Sequence, residues 1–269
     1  MAAFTFLVLT LLVCSSSPWV DAKDAIQGYY HAWWAIIPLP KTTVQKMLPA
    51  GRSMALADVS LPGLGADQHP VVLEIGTEHN AGPIGIPTWL LPTFPEFKLD
   101  IPYLIASAPS SDSATTNLNY KSIIYTDSSI LNAASRLQYN LNASKADMKQ
   151  TDNSYTVNFD GHTFTANFES SGSYQSPDKF PNFSTYNHIM SQTWFGSYQR
   201  DRKTCADHHY QFDTIQVRPA SMTVQAAKGV LDVHFPEGQI KTPDLTKALG
   251  TVEVLAHFTI TQPYDCLPN

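Results

Sequence analysis

The chain has 269 residues, enough for one large or two small domains. Apolar residues make up 43% and can fill a core, but charged residues reach only 15% against roughly 25% in an average soluble protein, so Ser, Thr, Asn and Gln must carry the surface. A formal charge of −6, a pI of about 5.8 and the lack of any basic run exclude a nucleic-acid partner from the expectations.

Residues 1–22 read as a secretory signal peptide. Phe4 to Val13 is a nearly unbroken apolar run of h-region length, and Ala22 offers a small residue for cleavage, although no Lys or Arg precedes the run. An N-terminal membrane anchor is the alternative, but the run is shorter than the roughly 20 residues a spanning helix needs. The expected localisation is therefore extracellular, with residues 23–269 as a single domain. Cys14 would leave with the signal. The remaining Cys205 and Cys266 predict one disulfide in an oxidising compartment, with two buried thiols as the alternative. Asn142-Ala143-Ser144 and Asn182-Phe183-Ser184 are glycosylation sequons that fit the same compartment.

Ala25 to Pro40 is aromatic and apolar, a buried strand or short helix; a membrane-surface role would want flanking basic residues, and few are present. Thr43 to Leu48 predicts a short helix stopped by Pro49. Gly51 to Pro92 holds strands punctuated at Pro62-Gly63, Gly82-Pro83 and Ile86-Pro87, with Val71 to Ile75 the most compact of them. Phe94 to Phe97 leads into Leu99, Ile101, Tyr103 and Ile105, an alternating strand.

The stretch from Asn117 to Met148 organises the rest. Tyr120 to Tyr125 is β-branched and aromatic and favours a strand. Asp127 or Ser128 can cap a following helix, whose apolar stripe is Ile130, Leu131 and Ala134. A turn carrying Arg136, Tyr139, Asn140 and Asn142 comes next. This order resembles the acetoacetate decarboxylase family, whose signature there is strand, helix, Gly-Arg-Glu, two or three residues, an aromatic-Gly pair, and Pro-Lys-Lys. Arg136 matches the arginine and Tyr139 the aromatic; Asn140 stands for the glycine and Asn142 for the proline. Ala143 and Ser144 stand where the lysine pair belongs. Upstream, Glu96 matches a glutamate that opens the corresponding family strand, with Asp100 a competing candidate and a solvated edge residue the alternative.

Further on, Tyr155 to Phe168 alternates on both sides of Asp160-Gly161, which predicts a type I′ hairpin pairing Val157 with Phe164 and Tyr155 with Ala166. Glu169 to Pro181 reads as a surface loop, and Trp194 to Tyr198 as a strand. Asp207-His208-His209 invites a metal, but adjacent strand residues face opposite ways, so a solvated loop is expected instead and no metal is. Strands are expected at Thr214 to Arg218, Val230 to Phe235 and Thr251 to Thr261. Between the last two, Thr242-Pro243-Asp244 reads as a helix start and Gly250 as its stop.

Many short strands and few helices predict an α+β, mainly β fold. The resemblance implies more: an antiparallel sheet curled into a barrel-like structure around a central pocket, with short helices outside. In the family a lysine attacks the substrate ketone, and the iminium draws electrons as CO₂ leaves. Ala143 and Ser144 cannot form an imine. Lys145, two positions from Ala143 and so on the same strand face, is the candidate catalytic amine, or else a solvated lysine. Glu96 is the second catalytic candidate. Arg136 would clamp a carboxylate or pair structurally with an acid; Tyr120 and Tyr139 would line the pocket or pack as core. No cofactor is expected and the sequence leaves homo-oligomerisation open. Two functions follow: a decarboxylase-like carbon–carbon lyase acting on a small keto or carboxylic acid, or a secreted binder of such an organic acid or carbonyl ligand that has lost the lysine.

Overall fold

The computed structural model describes residues 23–50, 54–106 and 117–266; the expected signal, residues 1–22, lies outside them. The longest element is β1 (Asp24–Pro40), the aromatic run near the N-terminus. It pairs antiparallel with β3 (Gln68–Pro83) on one edge and β15 (Val252–Thr261) on the other. With both edges occupied and both faces covered, a β-branched and aromatic sequence without polar alternation suits it. The remaining strands are β2 (Met54–Leu56), β4 (Phe94–Ala106), β5 (Leu118–Thr126), β6 (Ala143–Lys145), β7 (Asp147–Thr151), β8 (Ser154–Phe159), β9 (His162–Ser170), β10 (Thr193–Phe195), β11 (Thr204–Ala206), β12 (His208–Tyr210), β13 (Gln216–Ala226), β14 (Gly238–Thr242) and β16 (Tyr264–Asp265). Among the described residues three α-helices accompany them: α1 (Lys41–Met47), α2 (Ser129–Tyr139) and α3 (Phe183–Met190). None of the described helices is long and apolar enough to cross a membrane.

The strands form one strongly extended sheet ordered β16-β11-β10-β5-β4-β3-β1-β15-β13-β9-β8-β7. It is mixed rather than purely antiparallel, because β10 and β6 both run parallel to β5. Hydrogen bonds do not close it into a barrel. One face carries a large apolar core that includes Trp33, Leu73, Phe97, Phe164 and Val224. The other carries a second core around Tyr30, Trp34, Tyr186, Tyr210 and Phe258, partly roofed by α3.

The hairpin turns as expected: Asp160 and Gly161 have φ of 48° and 77°, and Val157 and Tyr155 pair with Phe164 and Ala166. Elsewhere local physics overrides the pattern. Val230 to Phe235 is not a strand. Asp232 Oδ1 accepts from the His234 N–H and turns the chain, while Val230, Leu231 and Phe235 plug the first core from a loop. No helix follows Pro243 either. Asp244 Oδ1 accepts from Thr246 N–H instead, and the Thr251 N–H reaches back to Pro243 O. A Cβ on Gly250 would stand 1.8 Å from Asp244 O, so the tight return requires glycine. Helix α3 was not expected at all. His208, expected in a solvated loop, is fully buried on β12 while His209 is exposed, the alternation a strand imposes. Among the described residues no cluster could hold a metal. Cys205 on β11 and Cys266 beside β16 form a disulfide with a Cα–Cα distance of 5.7 Å.

Candidate functional site

The sheet's second face is not wholly apolar. Reading across it, residues pair in rows: Trp34, Glu74, Lys98, Ile124 and Ala143 form one, on β1, β3, β4, β5 and β6. The next row holds Ala32, Gly76, Glu96 and Thr126, and the one after it Tyr30, Glu78 and Phe94. In the opposite direction stand Ile36, Val72, Asp100 and Lys121. Period two along three neighbouring strands thus collects six ionisable groups on one buried patch.

These groups pair closely. Lys121 Nζ donates to Glu74 Oε1 at 2.6 Å and Asp100 Oδ2 at 2.5 Å, and lies 4.0 Å above the Trp194 ring. Lys98 Nζ contacts Glu96 Oε2, lies 3.3 Å from Glu78 Oε1 and 3.9 Å from Glu74 Oε2, and faces the Tyr30 ring at 4.7 Å. The Tyr210 hydroxyl donates to Glu74 Oε2 at 3.2 Å. Both lysines are at most 1% exposed.

Two cations cannot balance four carboxylates, so burial keeps protons on some acids. Desolvation, reinforced by Glu78, holds Glu96 well above the usual carboxylate range. Desolvation and the neighbouring Glu74 do the same to Asp100. Burial would raise Glu74 too, but the Lys121 and Lys98 ammoniums outweigh it and hold Glu74 ionised. Desolvation alone would lower Lys98; the Glu96, Tyr30, Glu74 and Glu78 oxygens overcome it and lift the ammonium well above its ordinary range. His208, edge-on to Trp194 with ring centroids 4.2 Å apart, is kept neutral by burial and by Lys98.

A cavity of about 140 Å³ opens over this patch, beneath α2. Its polar floor is Lys98, Glu96 and Glu78; its walls include Phe94, Ile124, Trp194 and Ile260, and α2 contributes Leu131, Ser135 and Tyr139. Ser128 starts that helix, its Oγ accepting from the Leu131 N–H, and Asn140 ends it at φ 56°. The residue standing for the motif's glycine therefore adopts the left-handed conformation a glycine would. Its side chain also accepts from Gln199 N–H at 2.7 Å, a tie no glycine could supply.

Of the residues expected at the site, Glu96 and Tyr139 line the cavity. Arg136 lies on the other side of α2: Nε donates to Ala143 O, a terminal nitrogen to Ser144 Oγ at 3.0 Å, and the guanidinium lies 5.1 Å above Tyr198. It fastens β6 to the helix. Tyr120 shares its hydroxyl with Ser197 Oγ at 2.8 Å and packs in the first core, away from the cavity. Lys145 is exposed, beside a shallow depression shared with Asp127 and Asp147. Asn142 spends its amide on Tyr120, Ser122 and Ser197, and Asn182 donates to Leu245 O. Sequence reading missed Lys98, Lys121, Glu74 and Glu78. Their signal was the spacing Glu96-x-Lys98-x-Asp100 beside Glu74 and Glu78, charges of both signs on one face of neighbouring strands.

No protein-family model and no curated protein matches the sequence. The fold does have counterparts among solved structures. An acetoacetate decarboxylase from Legionella pneumophila superposes with a TM-score of 0.58 at 9% identity, over 95% of this chain and 94% of that one. An acetoacetate decarboxylase-like enzyme from Sphingomonas wittichii RW1 gives 0.58 at 9% identity, over 94% and 100%. The enduracididine biosynthesis enzyme MppR, in complex with pyruvate, gives 0.56 at 8%, over 93% and 92%. At these identities the likeness establishes architecture, and the architecture of this chain is that of the acetoacetate decarboxylases.

Proposed function

We propose that the protein is a secreted, acetoacetate decarboxylase-like protein that takes a small carbonyl compound into the cavity beneath α2. Lys98 is the group that meets the carbonyl. One observation carries this reading: Lys98 is the one amine lining the cavity among the described residues, and it shares a row with Ala143, where the resemblance wants a lysine. Structural neighbours include an enzyme solved with pyruvate, which fits a small oxo ligand.

Lys98 rests as an ammonium, and only a free amine attacks a carbonyl. Glu78 and Glu96 are hydrogen-bonded to each other and both touch Nζ, so the proton has an acceptor beside it. With the proton moved, an imine at Lys98 supports carbon–carbon cleavage. With it retained, ammonium and neutral Glu96 carboxyl donate hydrogen bonds to a bound oxygen, and the protein is a binder without chemistry. The raised Lys98 ammonium favours that second reading at neutral pH.

Borohydride reduction in the presence of pyruvate or acetoacetate, followed by peptide mapping, decides between them. A reduced adduct on Lys98 supports the lyase; saturable binding without adduct supports the binder. An adduct on Lys145 instead would move the site to β6 and overturn the assignment. Secretion is checked by the N-terminus of protein recovered from the medium, expected at Lys23.

A further inference from the structure

The cavity's own size and surroundings narrow the ligand class, resting on the reading of Lys98 as the carbonyl-facing group. Four large apolar side chains stand exposed where solvent would ordinarily be met by polar ones: Trp89 is 78% exposed, Leu90 48%, Ile84 46% and Ile130 44%. Ile84 follows Pro83, Trp89 and Leu90 precede Leu91, and Ile130 itself lines the cavity, as do Pro83 and Leu91. Ile130 thus belongs to both the cavity wall and the surface, and Ile84, Leu90 and Trp89 stand within two residues of wall positions. The connecting stretch from Asn80 to Pro95 contains no charged residue. Helix α2 contains one, Arg136, and that is committed to Ala143 and Ser144.

The floor is unsuited to an anion. Lys98 already faces the ionised Glu74 and shares the Glu78–Glu96 pair, so an incoming carboxylate would add negative charge to a desolvated patch that has two cations for four acids. A cavity of about 140 Å³ is close to the roughly 150 Å³ that holds a benzene-sized molecule. A ligand with a longer chain must leave by the mouth, across the apolar rim.

The geometry points to a neutral carbonyl compound with an aliphatic tail, a medium-chain ketone or aldehyde, with its oxygen at Lys98 and Glu96 and its tail lying across Ile130, Leu90 and Trp89. A short anionic keto acid is the poorer ligand.

The test is calorimetric titration of the full-length secreted protein with 2-butanone, 2-heptanone and 2-decanone, set against pyruvate. Affinity should rise roughly fourfold for each added methylene, the increment expected for burying one such group. 2-Decanone should bind at least 100-fold tighter than pyruvate. In Trp89→Ala and Ile130→Ser, both at exposed positions, the ratio of 2-decanone to 2-butanone affinity should fall at least tenfold. An affinity independent of chain length, or pyruvate binding tightest, overturns the tail assignment. The carbonyl reading fails separately. If the affinity for every ketone is unchanged in Lys98→Met while the chain-length dependence persists, the tail site stands and the role of Lys98 does not; if pyruvate forms the Lys98 adduct and the alkanones do not bind, the reverse holds.

Discussion

Lys98 and Lys145 stand on strands that flank β5, one on each edge, yet they live in different media. Lys98 on β4 is 1% exposed, with three carboxyl groups and two aromatic rings, Tyr30 and Trp194, about its Nζ. Lys145 on β6 is open to water, where ion pairing is screened and contributes little. The motif resemblance pointed to β6, because it counts along the chain. The cavity is defined across the chain, by rows of paired residues. Lys98, Ile124 and Ala143 occupy a single row, so an amine on β4 lies about two strand spacings, roughly 10 Å, from where a lysine at Ala143 would be. A sheet can thus supply the same chemical group to one hollow from either side of a central strand.

The sharpest way to break that contrast is at Glu74, which holds both buried lysines. Glu74→Ala should cost on the order of 3–5 kcal/mol, because it leaves two ammoniums short of a partner in a dry interior. The shift in urea midpoint would measure it. Replacing the pair together, Glu74→Leu with Lys121→Met, should recover most of the loss, since well-packed apolar groups often replace a buried ion pair at little expense. If Glu74→Ala is neutral, the patch is hydrated and the two lysines are less different than the geometry says.

Next in size is a pH effect whose sign separates two acidic sites. Glu96 and Asp100 have folded pKa values raised above their unfolded ones. Their contribution to stability is full below about pH 4 and is lost as pH rises through the folded values. Glu253 is the opposite case. Burial would raise it, but hydrogen bonds from His31, Arg218, Ser170 and Tyr174 prevail, and the carboxyl is held low. Arg218 grips it at 2.6 and 3.0 Å. Its contribution is present above about pH 4 and vanishes as pH falls. Urea unfolding between pH 2.5 and 8 should therefore show Glu96→Gln gaining on the wild type as pH rises above about 4, and Glu253→Gln losing ground only as pH rises to about 5 and holding level beyond it. Parallel curves would mean that Glu96 ionises normally.

How much of this could be read in advance follows from what each signal encodes. The hairpin at Asp160-Gly161 and the capped helix after Ser128 are set by neighbours in the chain, and both stand where expected. The Glu96 and Tyr139 positions came from motif order, and both reach the cavity. Lys98 was hidden by its own pattern. Alternation of Phe97, Leu99 and Ile101 with Glu96, Lys98 and Asp100 is what a strand with one wet face shows, and only the partner strands reveal that both faces are covered. Val230 to Phe235 misled for a related reason: its apolar residues answer to a core reached from a loop, not to strand period.

The smallest expected effect sharpens the comparison most directly. Lys145→Ala removes an exposed side chain and should shift stability by less than about 0.5 kcal/mol. If carbonyl chemistry occurs at all, borohydride trapping of a ketone in this variant should proceed as in the wild type, and Lys98→Met should abolish it. The two substitutions remove the same functional group from opposite edges of β5, so any difference between them reports position rather than chemistry. Loss of the adduct in Lys145→Ala, with Lys98→Met still labelled, would place the reacting amine at the water-facing edge. The buried lysines would then be a structural ion network, and the cavity beneath α2 would need another explanation.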